Sequence, residues 1–235
     1  MFAPSLHLLS AGAAKGLVLA LQPEFESSGG LRLASTFGAV GAMREKLDGG
    51  APCDAILLTR SMLDDLAAAG RVDAHSVRDV GWVHTGVAVP QGAAAAAVPD
   101  ATALRALLQS AGAIYLPDPE RATAGIHFVK VLRELDLYPG VASRLRSFPS
   151  GAIAMRELAQ TEQAGLLGCT QVTEIRYTRG VDLVGPLPPG FELATVYSAA
   201  VCSNARQPEL AQKLVALLTG PDAEPLRRAG GFEQA

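Results

Sequence analysis

Four short segments carry the residues best suited to chemistry. They read Ser10-Ala11-Gly12-Ala13, Phe37-Gly38-Ala39-Val40-Gly41, Thr123-Ala124-Gly125-Ile126-His127 and Ser150-Gly151-Ala152. Each follows a short apolar run and precedes a helical pattern. A helix start presents backbone N–H groups with no intrahelical acceptor, together with the positive end of the helix dipole. That combination suits an anion, and small residues let it approach the main chain closely. The chemistry expected is anion binding built largely from backbone.

Side chains near these turns add a second set of candidates. Ser10 can donate its hydroxyl to a ligand or end a strand. Thr59 and Arg60 follow an apolar run, and Arg60 can clamp a carboxylate in bidentate fashion or sit solvated at a helix start. Thr123, Ala124 and Gly125 form the strongest candidate helix-start site. His127, two residues further on, can reach a ligand, act as an acid or base, or simply pack. Ser150 reads as an N-cap, with Ser150 or the Gly151 N–H meeting the ligand. Thr170 and Gln171 follow a strand and supply polar groups at its end. His84 and Tyr197 lie on strands that join the two halves of the pattern. The candidate binding set is Ser10, Gly12, Ala13, Gly38, Ala39, Val40, Thr59, Arg60, Thr123, Ala124, Gly125, His127, Ser150, Gly151, Thr170 and Gln171.

Composition narrows the function classes. Hydrophobic residues make up 49% of the 235 and charged residues 18%, a globular balance with enough chain for a full core. The net charge of −3 offers no basic field for nucleic acid or an anionic membrane. No apolar run reaches the about 20 residues of a membrane helix. No GxGxxG, P-loop, HExxH or GxSxG motif occurs, and nothing implies a metal or organic cofactor. Cys53, Cys169 and Cys202 are odd in number and widely spaced, and read as buried small hydrophobes. Cys169 alone stands as a candidate nucleophile. Leu6–Leu9 is too short for a signal-peptide core, which places the chain in the cytoplasm as it stands, or in the periplasm if an export signal has been removed. The opening Met1-Phe2-Ala3-Pro4 favours the first.

The elements that must position these residues alternate. Strands are expected at 6–9, 31–35, 54–58, 86–89, 113–116, 144–148, 165–169 and 193–202. Helices are expected at 13–25 (stopped by Gly29-Gly30), 42–47, 62–69 (capped by Ser61), 102–109, 125–135, 150–160, 208–218 and 222–228. The Ala-rich stretch 92–98 reads as surface loop. This pattern predicts an α/β chain in two lobes, 1–84 with 196–235 and 85–195. A two-stranded hinge joins them, and a ligand cleft lies between them at the carboxyl ends of the strands.

The ordered set of motifs extends the reading. Beside the four turns stand Gly50-Ala51-Pro52-Cys53-Asp54, Asp118-Pro119, Leu166-Leu167-Gly168-Cys169-Thr170-Gln171-Val172-Thr173-Glu174-Ile175 and the strand carrying Tyr197. Together they resemble the type II periplasmic-binding-protein family, in particular the molybdate-binding-protein-like solute receptors of ABC transporters. The resemblance implies hinge closure over a small anion, no cofactor, and a transporter membrane component as partner. It also implies serines at the first two turns, an Ala-Gly helix start at the third and a tyrosine after a later strand. Only Ala124-Gly125 matches; Ala13, Ala39-Val40 and Gly168 stand at the other positions. The missing hydroxyls favour an organic anion, a carboxylate or phosphate ester, over molybdate. Two alternatives stay open. One is an isomerase of a small unsaturated polycarboxylic acid, resembling aconitate isomerase, with His127 as the base. The other is a cytoplasmic ligand-sensing module.

Overall fold

Two five-residue strands are buried at every position, Ala55–Thr59 and Ala113–Pro117. Continuous burial rather than alternation means that both faces of a strand are covered, as in a sheet with helices on each side. The computed structural model describes residues 5–29, 31–94 and 97–234. Gly30, residues 1–4 and residues 95–96 of the Ala-rich stretch, each read above from sequence, lie outside the described residues.

In chain order the elements begin β1 (Ser5–Ala11), a 3-10 turn (Gly12–Ala14), α1 (Lys15–Gly29), β2 (Arg32–Gly38), α2 (Val40–Asp48), β3 (Ala55–Thr59), α3 (Arg60–Ala68) and β4 (Arg78–Pro90). There follow α4 (Ala101–Ser110), β5 (Ala113–Pro117), α5 (Thr123–Glu134), α6 (Tyr138–Val141), β6 (Leu145–Phe148), α7 (Gly151–Gln160), β7 (Leu166–Gln171), α8 (Val172–Tyr177) and β8 (Val181–Pro186). The chain closes with β9 (Ala194–Val201), α9 (Pro208–Thr219) and α10 (Glu224–Gly230).

The chain divides into two compact units, residues 1–82 with 195–235, and residues 83–194. Both divisions fall in or beside strands, within β4 and at the start of β9. In the first unit β2, β1 and β3 run parallel and β9 pairs antiparallel with β3. Helices α1 and α9 pack on one another, and Leu17, Leu21, Phe25, Leu63, Leu66 and Leu214 are buried.

In the second unit the strand order is β8-β4-β7-β5-β6, with β5 parallel to both its neighbours. Its core has two faces, set by the period-two alternation of strand side chains. Ile114, Leu116, Leu167 and Cys169 pack with Leu104, Leu108, Phe128 and Leu132 of α4 and α5. Ala113, Tyr115 and Leu166 pack with Ala154, Met155 and Leu158 of α7 and Ile175 of α8. The buried-small-hydrophobe reading therefore holds for Cys169.

Several boundaries differ from the sequence reading, for local reasons. α5 starts at Thr123 rather than residue 125, and α2 at Val40 rather than residue 42. Both N-caps, Ala122 and Ala39, lack a capping side chain, so sequence offered no start signal. α3 is capped by Thr59, whose hydroxyl accepts the Met62 N–H at 3.4 Å, and not by Ser61. α6 and α8 are too short to show a periodicity.

Candidate anion-binding site

Strand register places the first turns together. Ala11 is opposite Gly38, and Ser10 lies between Phe37 and Leu57. The carboxyl ends of β1, β2 and β3 therefore bring Gly12–Ala13, Ala39–Val40 and Thr59–Arg60 to one edge of the first unit's sheet. Tyr197, buried, lies opposite Thr59 at the same edge. The first bond of α2 runs from the Met43 N–H to the Ala39 carbonyl at 3.0 Å. The N–H groups of Val40, Gly41 and Ala42 thus have no intrahelical acceptor. Ala11 and Ala39 cap with main chain alone.

The polar side chains at this edge already have partners. The Ser10 hydroxyl, fully buried, donates to the Ala11 carbonyl at 3.0 Å. Thr59 is the α3 cap. Arg60 pairs with Asp64 at 2.9 Å and Asp79 at 3.0 Å, and these carboxylates hold its guanidinium above its ordinary pKa. Asp79 also accepts the Ser198 hydroxyl at 2.6 Å.

In the second unit, β5 and β6 end side by side, Pro117 opposite Phe148, and β7 runs on past them to Gln171. α5 makes its first bond from the Ile126 N–H to the Ala122 carbonyl at 2.9 Å, leaving Thr123, Ala124 and Gly125 as open donors. Gly125 has a structural reason as well: a Cβ there would overlap the Pro117 and Asp118 carbonyls. His127 Nε2 lies 2.8 Å from the Phe191 carbonyl. A carbonyl only accepts, so Nε2 is the donor in this contact.

Ser150 caps α7 by accepting the Ile153 N–H at 3.4 Å. The next donor is met by a residue to which the sequence reading gave no role. Glu174, buried, accepts the Ala152 N–H on Oε1 at 3.1 Å and the Thr170 hydroxyl on Oε2 at 2.5 Å. Gly151 is small because a Cβ would overlap the Thr170 hydroxyl and this carboxylate.

Next to Thr170 in the chain begins a group of unpaired polar atoms. Both polar atoms of the Gln171 amide are buried with no hydrogen-bond partner, as are the hydroxyls of Thr85 and Thr173. Thr85 and Gln171 are register partners on β4 and β7. Buried polar side chains are nearly always paired, so a local group without partners marks a place where a polar ligand completes the set. Thr85 and Thr173 were missed from sequence because an isolated threonine in or beside an apolar strand carries no signal of its own. Among the described residues no cluster of His, Cys, Asp and Glu could hold a metal ion, and no helix is long and apolar enough to cross a membrane.

The model of the bacterial extracellular solute-binding protein family matches residues 6–233. The chain belongs to this family. The solute-binding protein is 29% identical over 228 residues to an aconitate isomerase from a Pseudomonas species, covering 93% of this chain and 84% of that protein. Its fold matches the periplasmic molybdate-binding protein of Azotobacter vinelandii with a TM-score of 0.80 at 19% identity, over 98% of this chain and 100% of that one. It also matches the sulfate-binding protein SubI of Mycobacterium tuberculosis H37Rv with a TM-score of 0.74 at 17% identity, over 99% and 87%. The fold is thus that of the two-lobe type II periplasmic binding proteins with molybdate-binding-like members.

Proposed function

We propose that the solute-binding protein takes a small organic anion, a carboxylate or a phosphate ester, in preference to molybdate. The carrying observation is the Gln171 amide, buried with both its N–H₂ and its carbonyl unpartnered. Molybdate and sulfate are unprotonated near neutral pH and only accept hydrogen bonds. Either would leave the Gln171 carbonyl oxygen unsatisfied, at a cost of about 1–3 kcal/mol. A hydroxy acid or a phosphate ester bearing hydroxyls supplies both acceptors and donors. The alanine-capped start of α2 supports the same reading, because it offers an anion main-chain donors without hydroxyls. In the transport reading the partner is the membrane component of an ABC transporter, and the protein works outside the cytoplasmic membrane.

Calorimetry with molybdate, sulfate, citrate, cis-aconitate and a sugar phosphate tests this. An organic anion is expected to bind with a Kd at least about tenfold below that of molybdate, a difference of roughly 1.4 kcal/mol. Submicromolar molybdate binding without affinity for any carboxylate or phosphate ester overturns it.

A second reading is favoured by the likeness to aconitate isomerase over 93% of the chain. Here a base removes a proton next to a carboxylate-bearing carbon and returns it to another carbon as the double bond shifts. His127 is the candidate, with its Nε2 proton engaged by Phe191 and Nδ1 as the basic atom.

A further inference from the structure

Cys53 and Cys202 are separated by 149 positions, yet the Cys202 Sγ lies 3.3 Å from the Cys53 Sγ. Both belong to the first unit. Cys53 stands just before β3 and Cys202 just after β9. Because Ala55 is opposite Val201 in the antiparallel β3–β9 pair, the residues flanking that end of the ladder meet.

Asp54 fixes the junction. Its backbone carbonyl accepts the Cys202 N–H at 2.9 Å. Its carboxylate accepts the backbone N–H groups of His7 at 2.8 Å, Arg206 at 2.6 Å and Gln207 at 3.2 Å. The thiols are therefore held on two segments that cannot drift apart without breaking this set. Disulfide sulfurs sit about 2.0 Å apart, so a small side-chain rotation closes the gap.

The pair is also reachable. It lines a cavity of about 210 Å³ bounded by Pro52, Arg71, Asn204 and Arg206. Cys53 is partly exposed, while Cys202 lies buried behind it. The Cys202 thiol donates to Cys53 and holds the Cys53 thiol below its ordinary pKa. The same contact, with burial, pushes Cys202 up. The difference in exposure makes Cys53 the first nucleophile, since it is the thiol a dissolved disulfide can reach.

We propose that Cys53 and Cys202 are a redox pair that a small disulfide such as oxidised glutathione converts into an intramolecular disulfide. The Cys53 thiolate attacks one sulfur of the oxidant, forming a mixed disulfide and expelling one glutathione thiolate, which takes up a proton. Cys202 then loses its proton to solvent and attacks the Cys53 sulfur, expelling the second glutathione. Two protein thiols and one disulfide become one protein disulfide and two thiols. The bond ties together the chain on either side of residues 83–194, which enter and leave the second unit between the two cysteines. Cys169, buried in the core of that unit with burial pushing its thiol up, is the internal control.

The test uses the full chain, reduced, exchanged into buffer with oxidised glutathione, then alkylated first native and then denatured. Intact mass and peptide mapping read the result. Wild type and C169S are expected to lose about 2 Da and to yield a linked Cys53–Cys202 peptide with a raised melting temperature. C202S is expected to retain one glutathione on Cys53, and C53S to gain no internal bond. Wild type with both thiols still alkylated after oxidation, a lasting glutathione adduct on wild-type Cys53, or a bond to Cys169 overturns the proposal. The wild-type and C169S measurements decide it even if the other two variants fail to fold.

Discussion

Glu174 Oε1 accepts the backbone N–H of Ala152 at 3.1 Å, so α7 opens onto a buried carboxylate from its own unit. A negative charge on the last free donors of a helix start is favourable through both the hydrogen bond and the dipole. The same carboxylate takes the Thr170 hydroxyl, tying β7, α7 and α8 into one junction.

Removing that junction has a defined cost. Glu174→Ala leaves the Thr170 hydroxyl and the Ala152 N–H unpaired in the interior, and is expected to destabilise by about 2–4 kcal/mol. Glu174→Gln keeps an acceptor but loses the charge, and is expected to cost about 1–2 kcal/mol. Urea denaturation with an unchanged m-value measures both. A Glu174→Gln variant as stable as wild type would show that the charge plays no part.

The Gln171 group makes the opposite prediction for stability. An unpaired buried amide destabilises the ligand-free protein, so Gln171→Met is expected to raise its stability by about 1 kcal/mol. Thr85→Val, equal in shape, is expected to do the same on a smaller scale. Both should shrink the rise in melting temperature that a bound organic anion gives. If Gln171→Met lowers the melting point and leaves the ligand response intact, the amide is structural.

These two junctions show what was legible in the sequence. Gln171 could be named because a polar pair after an apolar run announces itself. The alternation of strands and helices was legible in the same way, from runs such as Ile56-Leu57-Leu58. Glu174 was read only as part of a family-like motif, because its role depends on β7, α7 and α8 meeting, which spacing along one element does not reveal. The Cys53–Cys202 contact escaped for the same reason, since it exists only through the β3–β9 register. Where sequence named Thr170 as a ligand group, folding gave its hydroxyl to Glu174.

Thr59 and Ser61 separate a cap from its neighbour. Thr59 accepts the Met62 N–H and has its hydroxyl 3.3 Å from that of Ser61. Thr59→Ala is expected to cost about 1 kcal/mol as a lost N-cap. Ser61→Ala, within the first turn, should stay within about 0.5 kcal/mol of wild type. Thermal melts of the pair check the assignment, and the reverse ranking would restore Ser61 as the cap.

Glu26 gives a pH dependence of known sign. Its carboxylate accepts the Leu33 N–H at 2.9 Å and the Gln22 side-chain N–H at 2.8 Å. These bonds, the backbone one foremost, hold its pKa below the ordinary value. A depressed carboxylate adds stability that is present above its unfolded pKa, about 4.3, and that is lost as the pH falls through the folded value. The stability gap between wild type and Glu26→Gln is therefore expected to be constant at neutral pH and to narrow below about pH 4–5. A gap that stays flat to the acid unfolding limit would show that the carboxylate is not bonded in the folded state.

His127 decides between binding and isomerisation. If the site moves a proton, exchange of solvent deuterium into a bound unsaturated tricarboxylate is expected with wild type. His127→Ala is then expected to slow that exchange by roughly 100- to 10,000-fold, the range for a lost general base. Its Kd should stay within about tenfold, since the ring's Nε2 proton is spent on Phe191 rather than on the ligand. Loss of the Phe191 bond alone would loosen the loop before β9 and weaken binding while leaving the exchange rate of the bound complex unchanged. A wild-type protein that binds a tricarboxylate tightly and exchanges no proton into it is a receptor, with His127 a tether between α5 and that loop.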